Sequence, residues 1–142
     1  MKTHDILQSK GYGIHTIRPD ATLADVVDKL VEHNCGSLLV VDKEQLQGII
    51  TERDILRTLA SEERPLKEIA VYERMTTEVV TASSQDEVNE VMGTLTERRI
   101  RHLPIVDGSD LRGIISIGDV VKAQHDELTV ENHFLKSYII NS

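Results

Sequence analysis

The chain has 142 residues, with 16 Lys and Arg against 24 Asp and Glu, for a formal net charge of −8. Its 39% hydrophobic and 28% charged residues match a globular mixture and exclude a disordered tail, while apolar runs such as residues 37–41 are too short for a membrane span. The acidic balance disfavours duplex DNA, and residues 1–5 lead into no apolar stretch that would serve as a secretion signal, so a cytoplasmic setting is expected. The single cysteine, Cys35, allows no internal disulfide and reads as a small buried apolar residue.

In chain order, a short strand is expected at residues 14–17, followed by a turn at Pro19-Asp20. Leu23, Val26, Val27, Leu30 and Val31 recur at the spacing of one helical face, and Thr22 with Asp25 reads as the capping box that opens this helix. Residues 37–41 and 46–51 are apolar and β-branched, and Asp42-Lys43-Glu44-Gln45 joins them as a hairpin. A helix from residue 52 to about 60 closes the unit. Residues 61–75, rich in charge and containing Pro65, form a connector whose Leu66, Ile69 and Val71 predict partly helical packing.

The same order then returns. A strand is expected at 79–81, a turn at Ser83-Ser84, and a helix with the stripe Val88, Val91, Met92 and Leu95, opened by Ser84 with Glu87. Residues 102–106 and 111–116 form a second hairpin through Asp107-Gly108-Ser109-Asp110, and a helix runs from residue 117 onward. Val121, Leu128 and Leu135 recur every seven residues, with His125, Asn132 and Ile139 interleaved. This seam predicts either pairing with a second copy or packing on the chain's own domain.

A shift of 65 residues lays 14–59 on 79–124 without a gap. Thr16 falls on Thr81, Leu30 on Leu95, Val41-Asp42 on Val106-Asp107, Gly48-Ile49-Ile50 on Gly113-Ile114-Ile115, and Asp54 on Asp119. An internal duplication accounts for this register. Two copies are too few for a solenoid, so the expected fold is α+β: two β-α-β-β-α repeats packed about a pseudo-twofold axis. The expected domains are 1–60, the first repeat with its N-terminal segment; 61–75, the connector; 76–124, the second repeat; and 125–142, a C-terminal helical tail.

Gly48-Ile49-Ile50-Thr51-Glu52-Arg53-Asp54 and Gly113-Ile114-Ile115-Ser116-Ile117-Gly118-Asp119 stand at the last strand-to-helix junction of each unit. With Arg101-His102-Leu103-Pro104-Ile105-Val106-Asp107, they resemble the CBS domain, here in tandem as a CBS pair (Bateman module) over residues 14–124. The resemblance implies an adenosine ligand in each of two clefts between the repeats. The motif Asp would accept from the ribose hydroxyls and the motif Thr or Ser would lie near the ribose or α-phosphate. The adenine would lie in an apolar slot beside the residue after the motif Gly. Carried onto this chain, cleft 1 comprises Ile49, Thr51, Arg53, Asp54, Thr77, Val79, Arg101 and His102. Cleft 2 comprises Ile14, Gly36, Ser37, Ile114, Ser116 and Asp119. Because Arg101, His102 and Arg53 would flank the first and only Gly36, Ser37 and Gly118 the second, phosphorylated adenosines are expected to prefer the Asp54 cleft.

The chemistry is reasonable on its own terms, since one carboxylate can accept from both hydroxyls of a cis-diol. The bland reading of the same residues is two helix N-caps, and the two roles are compatible. Arg98 and Arg99 read as a solvated helix end. Arg101 and His102 stand beside a strand that should face a cleft. The six histidines show no close or helical i, i+4 pair, so no metal site is expected. No P-loop, nucleophile elbow, HExxH or dinucleotide fingerprint is present.

The expected function is therefore a non-catalytic sensor of an adenine nucleotide or other adenosyl ligand, with no catalytic cofactor. AMP, ADP or ATP stand ahead of an NAD-type dinucleotide or S-adenosylmethionine. A homodimer is expected, acting on an unknown separate protein effector, with neither membrane nor duplex DNA as partner. The alternative is a structural or protein-interaction module without a physiological small ligand, and an enzyme ranks behind both.

Overall fold

Thr22 arrives in an extended conformation, and its Oγ1 accepts from the Asp25 N–H while Asp25 Oδ2 accepts from the Thr22 N–H. This reciprocal cap starts the first long helix of the repeat and satisfies two amides that a helix leaves without partners. The computed structural model describes residues 1–11 and 13–141. Its elements in chain order are α1 (Thr3–Lys10), β1 (Thr16–Ile17), α2 (Leu23–His33), β2 (Ser37–Asp42), β3 (Gln45–Thr51) and α3 (Glu52–Ser61). Two 3-10 turns (Leu66–Glu68 and Val71–Glu73) follow, then α4 (Val88–Arg98), β4 (His102–Asp107), β5 (Asp110–Ser116) and α5 (Ile117–Asn141). The helix opened by Thr22 is thus α2; it ends at Asn34, whose left-handed φ of 49° lets its N–H reach back to Leu30 and Val31 carbonyls.

α2 buries Leu23, Val26 and Leu30, but Val31 is 76% exposed. Eight residues at 3.6 per turn place Val31 about 80° from Leu23, off the centre of the buried face. The two hairpins share one register under the 65-residue shift. Ser37 lies opposite Thr51, as His102 lies opposite Ser116, and each hairpin slips between equivalent residues, Val40/Val41 and Ile105/Val106.

The first strand is where the repeats part. β1 pairs in parallel with β2, and Leu39 donates its N–H to the His15 carbonyl. The shift puts Pro104 where Leu39 stands, and proline has no N–H to give. The strand expected at 79–81 accordingly does not form; the second repeat keeps one parallel bridge, between Ala82 and Ile105. The helix start expected at Ser84 and Glu87 is also corrected. α4 begins at Val88, and Ser84 is buried with its hydroxyl on Asp107 Oδ2 at 2.6 Å. Asp107, at the hairpin turn, is the better acceptor for Ser84, so the serine anchors a loop and does not cap a helix.

Each hydrophobic core is completed by the segment that leads into the other repeat. Leu23, Leu38, Val40 and Ile50 pack with Ile69 and Val71 from the connector, whose two 3-10 turns supply the expected partly helical packing. Leu95, Leu103, Ile105, Ile115 and Val120 pack with Ile6 and Leu7 of α1. The N-terminal segment, grouped with the first repeat by chain order, therefore packs on the second. The Leu23 N–H donates to the Ile69 carbonyl, and the Val88 N–H donates to the Met1 carbonyl. These bonds bind both leading segments to helix N-termini that would otherwise lack partners.

α5 runs 25 residues. Val120 is fully buried, while Val121, Leu128 and Leu135 are 50%, 58% and 51% exposed and Phe134 and Tyr138 are more so. The seam positions from Val121 to Leu135 are thus not buried on the chain's own repeats. No helix among the described residues is long and apolar enough to cross a membrane.

Candidate functional site

Both motif carboxylates cap the helix that follows them. Asp54 Oδ2 accepts from the Thr51 N–H (2.9 Å) and hydroxyl (3.1 Å), and Thr51 Oγ1 accepts from the Asp54 N–H. Asp119 Oδ2 accepts from the Ser116 N–H at 2.9 Å, and Ser116 Oγ accepts from the Asp119 N–H at 3.1 Å. Among the described residues these hydrogen bonds fall on Oδ2 alone, leaving Oδ1 of each carboxylate with acceptor capacity. Each carboxylate thus caps its helix with one oxygen and keeps the other able to accept.

The structure gathers one set of candidates around a cleft of about 410 Å3. Ile14, Gly36, Ser37, Ile114, Ser116 and Asp119 line it together, so the first repeat's entry and β2 face the second repeat's motif. Lys10, Gly13, His15, Asn34, Cys35, Leu39 and His102 complete the lining. A Cβ at Gly36 would stand 2.9 Å from Glu52 Oε1, the end of a side chain free to turn aside, and 3.9 Å from His102 Cε1.

The other set is less gathered. Ile49 exchanges backbone hydrogen bonds with Thr76 at 3.0 and 2.9 Å, which brings the chain before Thr77 and Val79 against β3. Thr51, Asp54 and Val79 are half-buried, whereas Arg53, Thr77 and Arg101 are exposed. The Arg101 carbonyl accepts from the Ile117 N–H. His102, assigned in sequence to the Asp54 cleft, lines the Asp119 cleft, because β4 sets it directly opposite Ser116.

A second correction concerns charge. The Asp119 cleft was expected to lack a cation, yet Lys10 Nζ donates to Asp119 Oδ2 at 2.7 Å and to the Ile114 carbonyl at 2.8 Å. Burial alone would raise the Asp119 carboxyl; Lys10 and the Ser116 N–H outweigh it and hold it below the usual aspartate value. Burial, reinforced by the Lys10 ammonium, pushes the His102 imidazole below its ordinary value. The premise that only the Asp54 cleft is basic therefore fails. Sequence reading missed Lys10 because the repeat alignment began at residue 14. Extended backward, the same shift lays Lys10 on Met75.

His15 and His33, distant in sequence, stack with ring centroids 3.9 Å apart. Among the described residues no three metal-ligating side chains converge.

Two repeats that complete each other's cores, with a carboxylate-capped helix start facing a cleft between them, define a paired α+β module. The comparisons with known proteins place it. The CBS-domain model matches residues 5–61 and 66–126, and the chain belongs to the CBS-domain family as a tandem pair. It is 36% identical over 144 aligned positions, 95% of this chain and 70% of the relative, to the mitochondrial CBS domain-containing protein CBSX3 of Arabidopsis thaliana. A crystal structure of a CBS domain, NE2398, superposes with a TM-score of 0.83 at 36% identity, covering 87% of this chain and 97% of that one. The CBS pair of protein MJ0100, solved with 5′-methylthioadenosine and S-adenosyl-L-methionine, superposes at 0.78 with 26% identity, covering 89% and 98%.

Proposed function

We propose that this CBS pair is a non-catalytic sensor that binds an adenosyl ligand, with the Asp119 cleft as its principal site. The observation that carries the reading is the convergence of Ser116 and Asp119 with Ile14, Gly36 and Ser37 of the other repeat around one cleft. That cleft combines a carboxylate for a cis-diol, a helix N-terminus for an anion and apolar walls from Ile14, Leu39 and Ile114. The MJ0100 pair, bound to methylthioadenosine and S-adenosylmethionine, supports the adenosyl class. The capping carboxylate of the Asp54 junction, with Ile49, Thr51, Arg53, Thr77, Val79 and Arg101, forms the second, weaker site in this reading. The ligand state would pass to a separate effector protein.

The test is a thermal-shift screen with AMP, ADP, ATP, NAD, S-adenosylmethionine and methylthioadenosine. A ligand at roughly 100-fold over its Kd adds about 2.7 kcal/mol, on the order of 5–10 °C for a domain of this size. At least one compound is expected to reach that shift, and Asp119→Ala is expected to remove it from a still-folded protein. No shift with any compound would sink the sensor reading.

The exposed apolar face of α5 favours association as well. We propose a homodimer in which Val121, Leu128 and Leu135 pair with a second copy. Light scattering is expected to give the dimer mass, with Leu128→Glu plus Leu135→Glu weakening the dimer by at least about tenfold. A wild-type monomer at high micromolar concentration would overturn it.

A further inference from the structure

We infer that Lys10 is the charge-selecting residue of the Asp119 cleft: its ammonium holds the motif carboxylate until a ligand takes that carboxylate, and then pairs with the ligand's anionic group. The inference rests on the adenosyl reading above and deepens it.

Lys10 occupies two polar atoms that the cleft offers a ligand, Asp119 Oδ2 and the Ile114 carbonyl. The helix that carries it is fixed independently of that contact. The Thr3 hydroxyl donates to the Asp86 carbonyl at 2.8 Å, the His4 N–H donates to the Ser84 carbonyl, and Leu7 is 1% exposed against Gly113. Lys10 is the last residue of that helix, and the chain beyond it turns at Gly11 with φ 90°. The side chain is 31% exposed, so its four-carbon stem can swing while α1 stays in place.

A cis-diol that engages both oxygens of Asp119, Oδ2 as well as the open Oδ1, competes with the ammonium for Oδ2. With an uncharged nucleoside, Lys10 is left without its carboxylate in a partly desolvated site beside His102. A phosphate entering the same cleft replaces the lost partner with a stronger one. The ribose contact is common to both ligands, so the difference between them reads Lys10 alone. The 65-residue shift lays Lys10 on Met75, but in space Met75 packs against Gly48 as Leu7 packs against the equivalent Gly113.

Isothermal titration with AMP and with adenosine, on wild type, Lys10→Met, Lys10→Arg and Asp119→Asn, tests this. Wild type is expected to prefer AMP by at least about tenfold, the scale of one charge-assisted contact. Lys10→Met is expected to bring that ratio near one, by weakening AMP and tightening adenosine, and Lys10→Arg is expected to restore the preference. An unchanged ratio in Lys10→Met, with binding still lost in Asp119→Asn, overturns the Lys10 role and leaves the adenosyl reading standing. Absence of binding to either compound in both wild type and Lys10→Met overturns the adenosyl reading and the inference with it.

Discussion

Leu103→Ala is expected to lower the free energy of unfolding by about 2–5 kcal/mol, the cost of removing buried carbons and leaving a cavity. Leu103 is fully buried in β4, packed in one cluster with Leu95, Ile105 and Ile115 and with Ile6 and Leu7 of α1. The cluster is small and draws on a helix from outside its repeat, so few neighbours can collapse into the void. The shift pairs Leu103 with Leu38, also fully buried, and Leu38→Ala is expected in the same range. For a domain whose total stability is about 5–15 kcal/mol, either change takes a large share. Urea unfolding followed by circular dichroism measures it, and a loss below about 1 kcal/mol for Leu103→Ala would contradict the packing described.

The second large effect separates two glycines that the duplication makes equivalent. A Cβ on Gly48 would stand 2.6 Å from the Thr76 carbonyl oxygen and 3.0 Å from Met75 Sδ. The Thr76 carbonyl is backbone, and it accepts the Ile49 N–H, so relief requires the connector to move and a strand-like contact to break. A Cβ on Gly113 would stand 2.8 Å from Leu7 Cδ2, the far end of a side chain, with its other near neighbours at 3.9 Å. A rotation of Leu7 provides relief there. Gly48→Ala is therefore expected to destabilise by about 1–3 kcal/mol, as overpacking does, and Gly113→Ala by less than about 1 kcal/mol. Paired thermal melts decide it: equal losses, or the reverse order, would show that the connector at Thr76 yields as easily as Leu7.

Both glycines carry the motif by which the family was recognised, and their structural role differs from their motif role. In each repeat the glycine admits a foreign segment, Met75-Thr76 in one case and Leu7 in the other. Those segments bring the chain to the clefts. Local stability at Gly48 and Gly113 is thus coupled to the geometry of the inter-repeat clefts, and substitutions at either glycine are expected to act on both.

The hairpins, the helix faces and the duplicated junctions were legible in the sequence because each depends on neighbours in the chain. Alternating and 3.6-residue periods, turn residues and reciprocal caps such as Thr22 with Asp25 are local devices. The repeat register carried the two motif carboxylates to equivalent helix starts, as Thr51 with Asp54 and Ser116 with Asp119. Where local signals competed with a partner far away, the reading failed. Ser84 and Glu87 have the composition of a cap, but Asp107, 23 residues beyond Ser84, takes the serine hydroxyl. The strand expected at 79–81 looks as extended as its counterpart; it lacks an amide partner because of Pro104 in another strand.

By itself the sequence determined the α+β class and the duplication, since both are written in periodicity and in spacing along one chain, and the resemblance carried by its two motifs pointed to the CBS-domain family. Only the tertiary structure decided which residues share a cleft. It set His102 and Lys10 beside Asp119, carried α1 across to the repeat that it does not precede, and left the α5 seam facing outward. The physical reason is that contacts between segments separated by about a hundred positions, such as Lys10 with Asp119, depend on which core has a vacant apolar face for Ile6 and Leu7. That vacancy belongs to the packed repeat as a whole, and no local pattern in residues 1–10 encodes it.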